Sequence, residues 1–125
     1  MNDKSFKLMN SMGITYDEMR DYENGEKYYL KCIELNPKYH SAYYNLAILY
    51  KGQERTNDAI VWYKKAIEAN PRYSYAYNNL GNIYKSQQEY KKAVECYRNA
   101  VENLSTYTLA YANMAVCLLQ LEKYQ

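Results

Sequence analysis

The chain is poor in the residues that break helices: two prolines and four glycines in 125 residues leave few places for turns. That scarcity argues against a many-stranded sheet and for long helices joined by short connections. No run of about 18 apolar residues occurs, and the start Met1-Asn2-Asp3-Lys4 has no apolar stretch, so neither a membrane span nor a signal peptide is expected. A soluble intracellular protein, cytoplasmic or nuclear, is the expectation. Neither sign of charge dominates, with 16 basic against 14 acidic residues; a net charge of +2 gives no field that would select nucleic acid. Cys32, Cys96 and Cys117 are odd in number and widely spaced, without a CxxC pair and with only one histidine in the chain, so reduced structural cysteines and no metal are expected. Phenylalanine and tryptophan occur once each, whereas tyrosine occurs 18 times. That bias calls for an explanation.

The explanation is an internal repeat. At an offset of 34 residues, tyrosines recur as Tyr16/Tyr50/Tyr84, Tyr29/Tyr63/Tyr97, Tyr43/Tyr77/Tyr111 and Tyr39/Tyr73/Tyr107, placing 12 of the 18 in four columns. A fifth column holds Tyr22, Tyr90 and Tyr124, with Thr56 at the vacant place. Other columns agree: Met12, Leu46, Leu80 and Met114; Gly13, Ala47, Gly81 and Ala115; Gly25, Ala59 and Ala93; Cys32, Ala66 and Ala100; and Pro37 with Pro71. Two amphipathic helices cannot bury both apolar faces alone, so each pair must stack on its neighbours. Small residues are expected where backbones approach, Gly13, Ala47 and Gly81 meeting Gly25, Ala59 and Ala93, with large rings filling the remaining gaps. Pro37 and Pro71 cannot extend a preceding helix and set the turn after Asn36 and Asn70. Helices are predicted near 6–20, 23–35, 40–52, 56–69, 74–87, 90–103 and 108–121, with Gly52 ending the third.

A 34-residue period carrying Tyr43, Leu46, Ala47, Tyr50, Ala59, Tyr63, Ala66 and Pro71, then Tyr77, Leu80, Gly81, Tyr84, Ala93, Tyr97 and Ala100, resembles the tetratricopeptide repeat family. Met9, Met12, Gly13, Tyr16, Gly25, Tyr29, Cys32 and Pro37 give a divergent first repeat with the same size classes. The resemblance implies an all-α fold, a right-handed α-solenoid of about three and a half repeats at 6–39, 40–73, 74–107 and 108–125, forming a single domain. The fourth repeat has only its first helix, around Tyr111–Leu121. With Met114, Val116, Cys117, Leu118 and Leu119 and almost no charge, that helix is expected to be covered, by more chain in a longer parent protein or by self-association into a homo-oligomer.

The resemblance also implies that the first helix of each repeat lines a concave groove for an extended protein or peptide partner. Asn45, Asn79 and Asn113 recur in one column there, with Ser11 in the first repeat. Asparagine is a poor interior helix residue, and its amide can both donate to and accept from a peptide backbone. The alternative is that these amides bridge neighbouring repeats. Tyr44 and Asn78, one residue earlier, and Ile48 and Asn82, three later, share the helical face; Ser41 and Tyr75 and then Lys51 and Lys85 border it, the lysines reading better as solvated helix ends.

Members that grip the terminal carboxylate of chaperone tails use Lys and Arg on successive first helices. The corresponding places here hold Asn10, Tyr75 and Asn79, with Ile14 where an Asn is wanted and only Asn45 matching, so that ligand is disfavoured. The segment Asn78-Asn79-Leu80-Gly81-Asn82-Ile83-Tyr84-Lys85, followed by Lys92-Ala93-Val94-Glu95-Cys96-Tyr97, is similar to repeats of O-GlcNAc transferase and SPINDLY-type proteins. That similarity implies an asparagine ladder recruiting substrate polypeptide.

Chemistry of its own is not expected. His40 stands alone as a turn residue, the acidic residues sit among lysines on helix surfaces, and the glycines form no phosphate loop, so no enzyme, cofactor or metal site is read. The alternative to a peptide-binding module is a structural scaffold that assembles through its ends.

Overall fold

The computed structural model describes residues 5–123; the fifth-column Tyr124, the final Gln125 and the start Met1–Lys4 lie outside the described residues. Seven helices follow in order among the described residues: α1 Ser5–Glu18, α2 Tyr22–Leu35, α3 His40–Gly52, α4 Thr56–Ala69, α5 Ser74–Ser86, α6 Tyr90–Asn103 and α7 Thr108–Lys123. Each begins and ends within about two residues of its predicted bounds. The chain divides into two compact units, Met1–Ala69 and Asn70–Gln125. In the first, α1 pairs with α2 and α3 with α4, while α2 packs on α3 and α1 touches α3. In the second, α5 pairs with α6, α6 packs on α7, and α5 touches α7.

Tyr29, Tyr63 and Tyr97, one on the second helix of each pair, are 1%, 3% and 0% exposed, because a ring is the group large enough to fill the space between two helices. The small-residue column on the first helices is explained by those rings. A Cβ at Gly13 would lie 2.5 Å from Tyr29 Cδ1, and one at Gly81 would lie 2.8 Å from Tyr97 Cε1. The expected meeting of small residues across the pair is therefore secondary. A Cβ on Gly25 would be 3.5 Å from the Gly13 carbonyl but 2.7 Å from Leu49 Cδ1 of α3, so a leucine of the next pair fills that gap.

The turns after α2 and α4 rest on Asn-Pro pairs. Asn36 Oδ1 accepts the Lys38 N–H at 3.2 Å and Asn70 Oδ1 accepts the Arg72 N–H at 3.1 Å. Tyr43 and Tyr77 then donate their hydroxyls to the Pro37 and Pro71 carbonyls at 2.7 and 2.8 Å, each locking a first helix to the turn before it. In the next turn Leu104 and Ser105 replace the Asn-Pro pair, and Tyr111 is 45% exposed.

The turns inside each pair share a feature that residue types did not signal. Arg20, Glu54 and Gln88, spaced by one repeat, all have φ of 61°, the left-handed conformation that glycine adopts most easily. Gly52 ends α3 as expected, but its own φ is not positive; the left-handed step comes two residues later. His40 is the first residue of α3 rather than a turn residue, and burial lowers its pKa.

Candidate functional site

The first helices of the first unit, α1 and α3, stand beside each other with Asn45 Nδ2 donating to Asn10 Oδ1 at 3.1 Å. Asn10 is 7% exposed. Ile14 and Ile48, one repeat apart, are each 37% exposed on the same helices, and Ser11 is also exposed. An apolar strip therefore runs beside the amide pair. Tyr44 sits half-buried with its ring edge-on to Tyr63, centroids 5.9 Å apart, so it belongs as much to the α3–α4 packing as to a ligand surface.

In the second unit the amides form a denser cluster between α5 and α7. Asn113 Nδ2 donates to Asn78 Oδ1 at 3.3 Å and Asn82 Oδ1 at 3.1 Å. Tyr97 Oη donates to Asn82 Oδ1 at 2.6 Å, and Lys85 Nζ donates to Asn113 Oδ1 at 3.2 Å. The cluster is satisfied internally, and in the described residues no buried side-chain nitrogen or oxygen lacks a partner. Asn78 is 1% exposed, which corrects its expected role: one residue before the asparagine column is about 100° around the helix, and that rotation turns it into the helix packing. Asn79 and Asn82 are half-buried, Tyr75 is 46% exposed, and Tyr75 makes edge contacts with Tyr73 and Tyr107 at 5.7 and 5.3 Å.

The two observed amide pairs share one geometry: the asparagine of one repeat bonds an amide 35 residues earlier, Asn45 to Asn10 and Asn113 to Asn78. The bridging role left open by the sequence is thus present at both places. Lys85, expected only as a solvated helix end, is half-buried and joined to the cluster, whereas Lys51 is exposed as expected.

On α7 only Ala110 and Cys117 are buried, and Leu109, Tyr111, Val116, Leu118 and Leu119 are 45–65% exposed. Leu109, Val116 and Leu119 stand one repeat after Tyr75, Asn82 and Lys85 of α5. Tyr111, Ala115 and Leu118 lie on the side that in the other first helices faces a paired helix.

Cys32 and Cys117 are fully buried free thiols, and Cys96 is buried as well. Desolvation pushes the Cys32 thiol up to about 11, opposed in part by a backbone hydrogen bond at Asn10, so it is not a nucleophile at neutral pH. Among the described residues no group of three or more His, Cys, Asp or Glu side chains could hold a metal ion, and no helix is long and apolar enough to cross a membrane.

Solved structures share this fold. The first repeat domain of Spaghetti (RPAP3), solved with the HSP90 peptide SRMEEVD, superposes with a TM-score of 0.87 at 18% identity, covering 98% of this chain and 97% of that one. MamA gives 0.84 at 23% identity over 97% of this chain and 71% of its own, and the Sgt2 domain from Aspergillus fumigatus 0.84 at 19% over 95% and 80%. At such identities the likeness establishes the fold. No curated protein matches the chain. Two family models described as tetratricopeptide repeat match it, one over residues 6–39 and the other over 40–73 and 74–107, so the chain belongs to the tetratricopeptide repeat family and is built as a protein–protein interaction module.

Proposed function

We propose that the chain captures an extended segment of a partner protein on its first helices, along α1 and α3 in one unit and α5 and α7 in the other. The observation that carries this is the pairing of half-buried amides with exposed apolar side chains at one-repeat spacing: Asn45 with Ile14 and Ile48, and Asn79, Asn82 and Asn113 with Tyr75 and Val116. Amides fixed by neighbouring amides present their remaining hydrogens in set directions, which suits a peptide backbone, and the apolar strip takes alternate side chains. The peptide-bound relative has the same fold, which supports the reading. Recruitment of substrate polypeptide in the manner of O-GlcNAc-transferase repeats is a narrower proposal, supported by the Asn45/Asn79/Asn113 column.

The test is a peptide selected on the immobilised chain from a displayed random library. Ile48→Asp and Tyr75→Ala should each weaken its binding about tenfold or more, the cost of losing a buried anchor. Val61→Asp, at a residue 48% exposed on α4, should leave it unchanged. The reverse pattern contradicts the proposal.

A second reading, self-association through α7, is favoured by its exposed Tyr111, Leu118 and Leu119. It requires a dimer in light scattering at high concentration that Leu118→Glu dissociates; a strict monomer contradicts it.

A further inference from the structure

We propose that α7 pairs with the α7 of a second copy of the chain, antiparallel and about a two-fold axis through Ala115. This rests on the self-association reading above and specifies the partner helix, its direction and its register.

Comparison of α5 with α7, column by column, shows where cover is missing. Ser74, Asn78, Gly81 and Tyr84 are buried on α5. Thr108, Ala112, Ala115 and Leu118, one repeat later on α7, are all exposed. α7 packs on α6 and touches α5, and its buried Ala110 and Cys117 mark the side turned to those helices. Tyr111, Leu119 and Glu122 lie on the uncovered side too. The stripe from Thr108 to Glu122 thus recurs at intervals of three and four, the spacing by which one helix packs along another.

The order of residues along the stripe makes a second copy its match. Antiparallel about Ala115, that alanine meets the partner's Ala115, Ala112 meets the partner's Leu118, and Tyr111 meets the partner's Leu119. An alanine at the crossing lets the backbones approach, and Leu118 fills the space beside Ala112. A parallel pair would set leucine on leucine and alanine on alanine, overfilling one level and leaving a gap at the other.

Charge points the same way. From Thr108 to Leu121 the helix has no charged residue to bury. Its first turn has no acidic residue and its last carries Glu122, where a carboxylate opposes the helix's own dipole. The antiparallel pair moves Glu122 beside the partner's Thr108, at the positive end of that helix. The stripe exposes on the order of 500 Å² per copy, so the pair buries about 1,000 Å², the lower bound for a specific interface. The dimer is therefore reversible and concentration-dependent. Val116 is one residue on from Ala115, about 100° round the helix, so it stays outside the seam.

Cysteine cross-linking of the full chain reads the arrangement. Cys32, Cys96 and Cys117 are buried, so the parent chain under mild oxidation supplies the background. Ala115→Cys should form a disulfide-linked dimer about tenfold faster than Val116→Cys. A mixture of Tyr111→Cys and Leu119→Cys chains should cross-link one variant to the other about tenfold faster than either to itself, a preference that a parallel pair reverses. Glu122→Gln should raise the dissociation constant about fivefold in sedimentation equilibrium. A dimer whose Ala115→Cys and Val116→Cys variants cross-link equally, or whose Tyr111→Cys and Leu119→Cys variants each prefer themselves, overturns the antiparallel register and leaves self-association standing. An unchanged dissociation constant in Glu122→Gln does the same. A strict monomer at high concentration refutes both, and assigns the stripe to a helix of another protein.

Discussion

Gly81 is the sharpest place to test how the helix pairs are held together. In an open helix, Gly81→Ala would gain about 0.8–1 kcal/mol of helix propensity. Here the added methyl would sit 2.8 Å from Tyr97 Cε1 and 3.0 Å from Cδ1 and Cζ. Tyr97 is 0% exposed and its hydroxyl is held by Asn82 at 2.6 Å, so the ring has no room to swing aside. Overpacking a fixed core ring costs about 1–3 kcal/mol, which exceeds the propensity gain. A net loss of about 1 kcal/mol is predicted, lowering the melting temperature by about 4 °C in a chain of this size. Gly52→Ala is the control: nothing lies within 4 Å of a Cβ there, so the same substitution at the end of α3 should be neutral or stabilising by up to about 1 kcal/mol. Urea unfolding followed by circular dichroism reads both, provided the slopes are unchanged. A Gly81→Ala protein as stable as the parent would refute the assignment of that glycine to the Tyr97 ring.

Further outcomes follow from the turns and buried rings. Glu54→Gly and Gln88→Gly, at φ of 61°, should each raise stability by about 0.5–1 kcal/mol in the same assay, since left-handed backbone costs about 1–2 kcal/mol without glycine and glycine's extra unfolded-state entropy returns part of it. Tyr43→Phe and Tyr77→Phe should each cost about 0.5–1 kcal/mol by removing the hydrogen bonds to Pro37 and Pro71, with no loss of helical signal. Stability should fall on the alkaline side. Burial raises Tyr29 and Tyr97 well above the ordinary phenol value, Tyr50 to about 12 and Cys32 to about 11. The folded chain holds those protons more tightly than the unfolded one. Their stabilisation is therefore complete below about pH 8, declines first as an unfolded Cys32 ionises, and declines steeply above about pH 10. A melting temperature flat from pH 9 to 11 would contradict this.

The helices were legible because each packing requirement recurs: a ring between paired helices, a small residue opposite it and an Asn-Pro turn all repeat at the same spacing, so residue type and position reinforce each other. The left-handed turn was not legible, because Arg20, Glu54 and Gln88 share a backbone angle and no chemistry. The small-residue column was read correctly as a close approach, with Gly25 meeting the Gly13 carbonyl, but the tighter neighbour at Gly13 is the Tyr29 ring, since a sequence does not say whether a glycine makes room for a backbone or for a side chain. The amide face was the least legible part. Asn78 and Asn79 are the same residue type one position apart, yet the first is buried in the packing and the second half-buried, a difference of rotation that no hydrophobic pattern marks. Lys85 looked like an ordinary helix-end lysine because its partner, Asn113, lies 28 residues away.

The bridges from Asn45 to Asn10 and from Asn113 to Asn78 also bear on how binding should be tested. Replacing Asn45, Asn79 and Asn113 together would disturb helix packing as well as any ligand surface, so loss of binding in that variant would be ambiguous. The most direct measurement leaves the chain intact: methyl-labelled protein is titrated with the selected peptide and the NMR shifts of Ile14, Ile48 and Val116 on the first helices are compared with those of Leu30 and Val61 on the second helices, all 37–48% exposed. Capture on the first helices predicts shifts at the former three and none at the latter two; shifts confined to Leu30 and Val61 would contradict it.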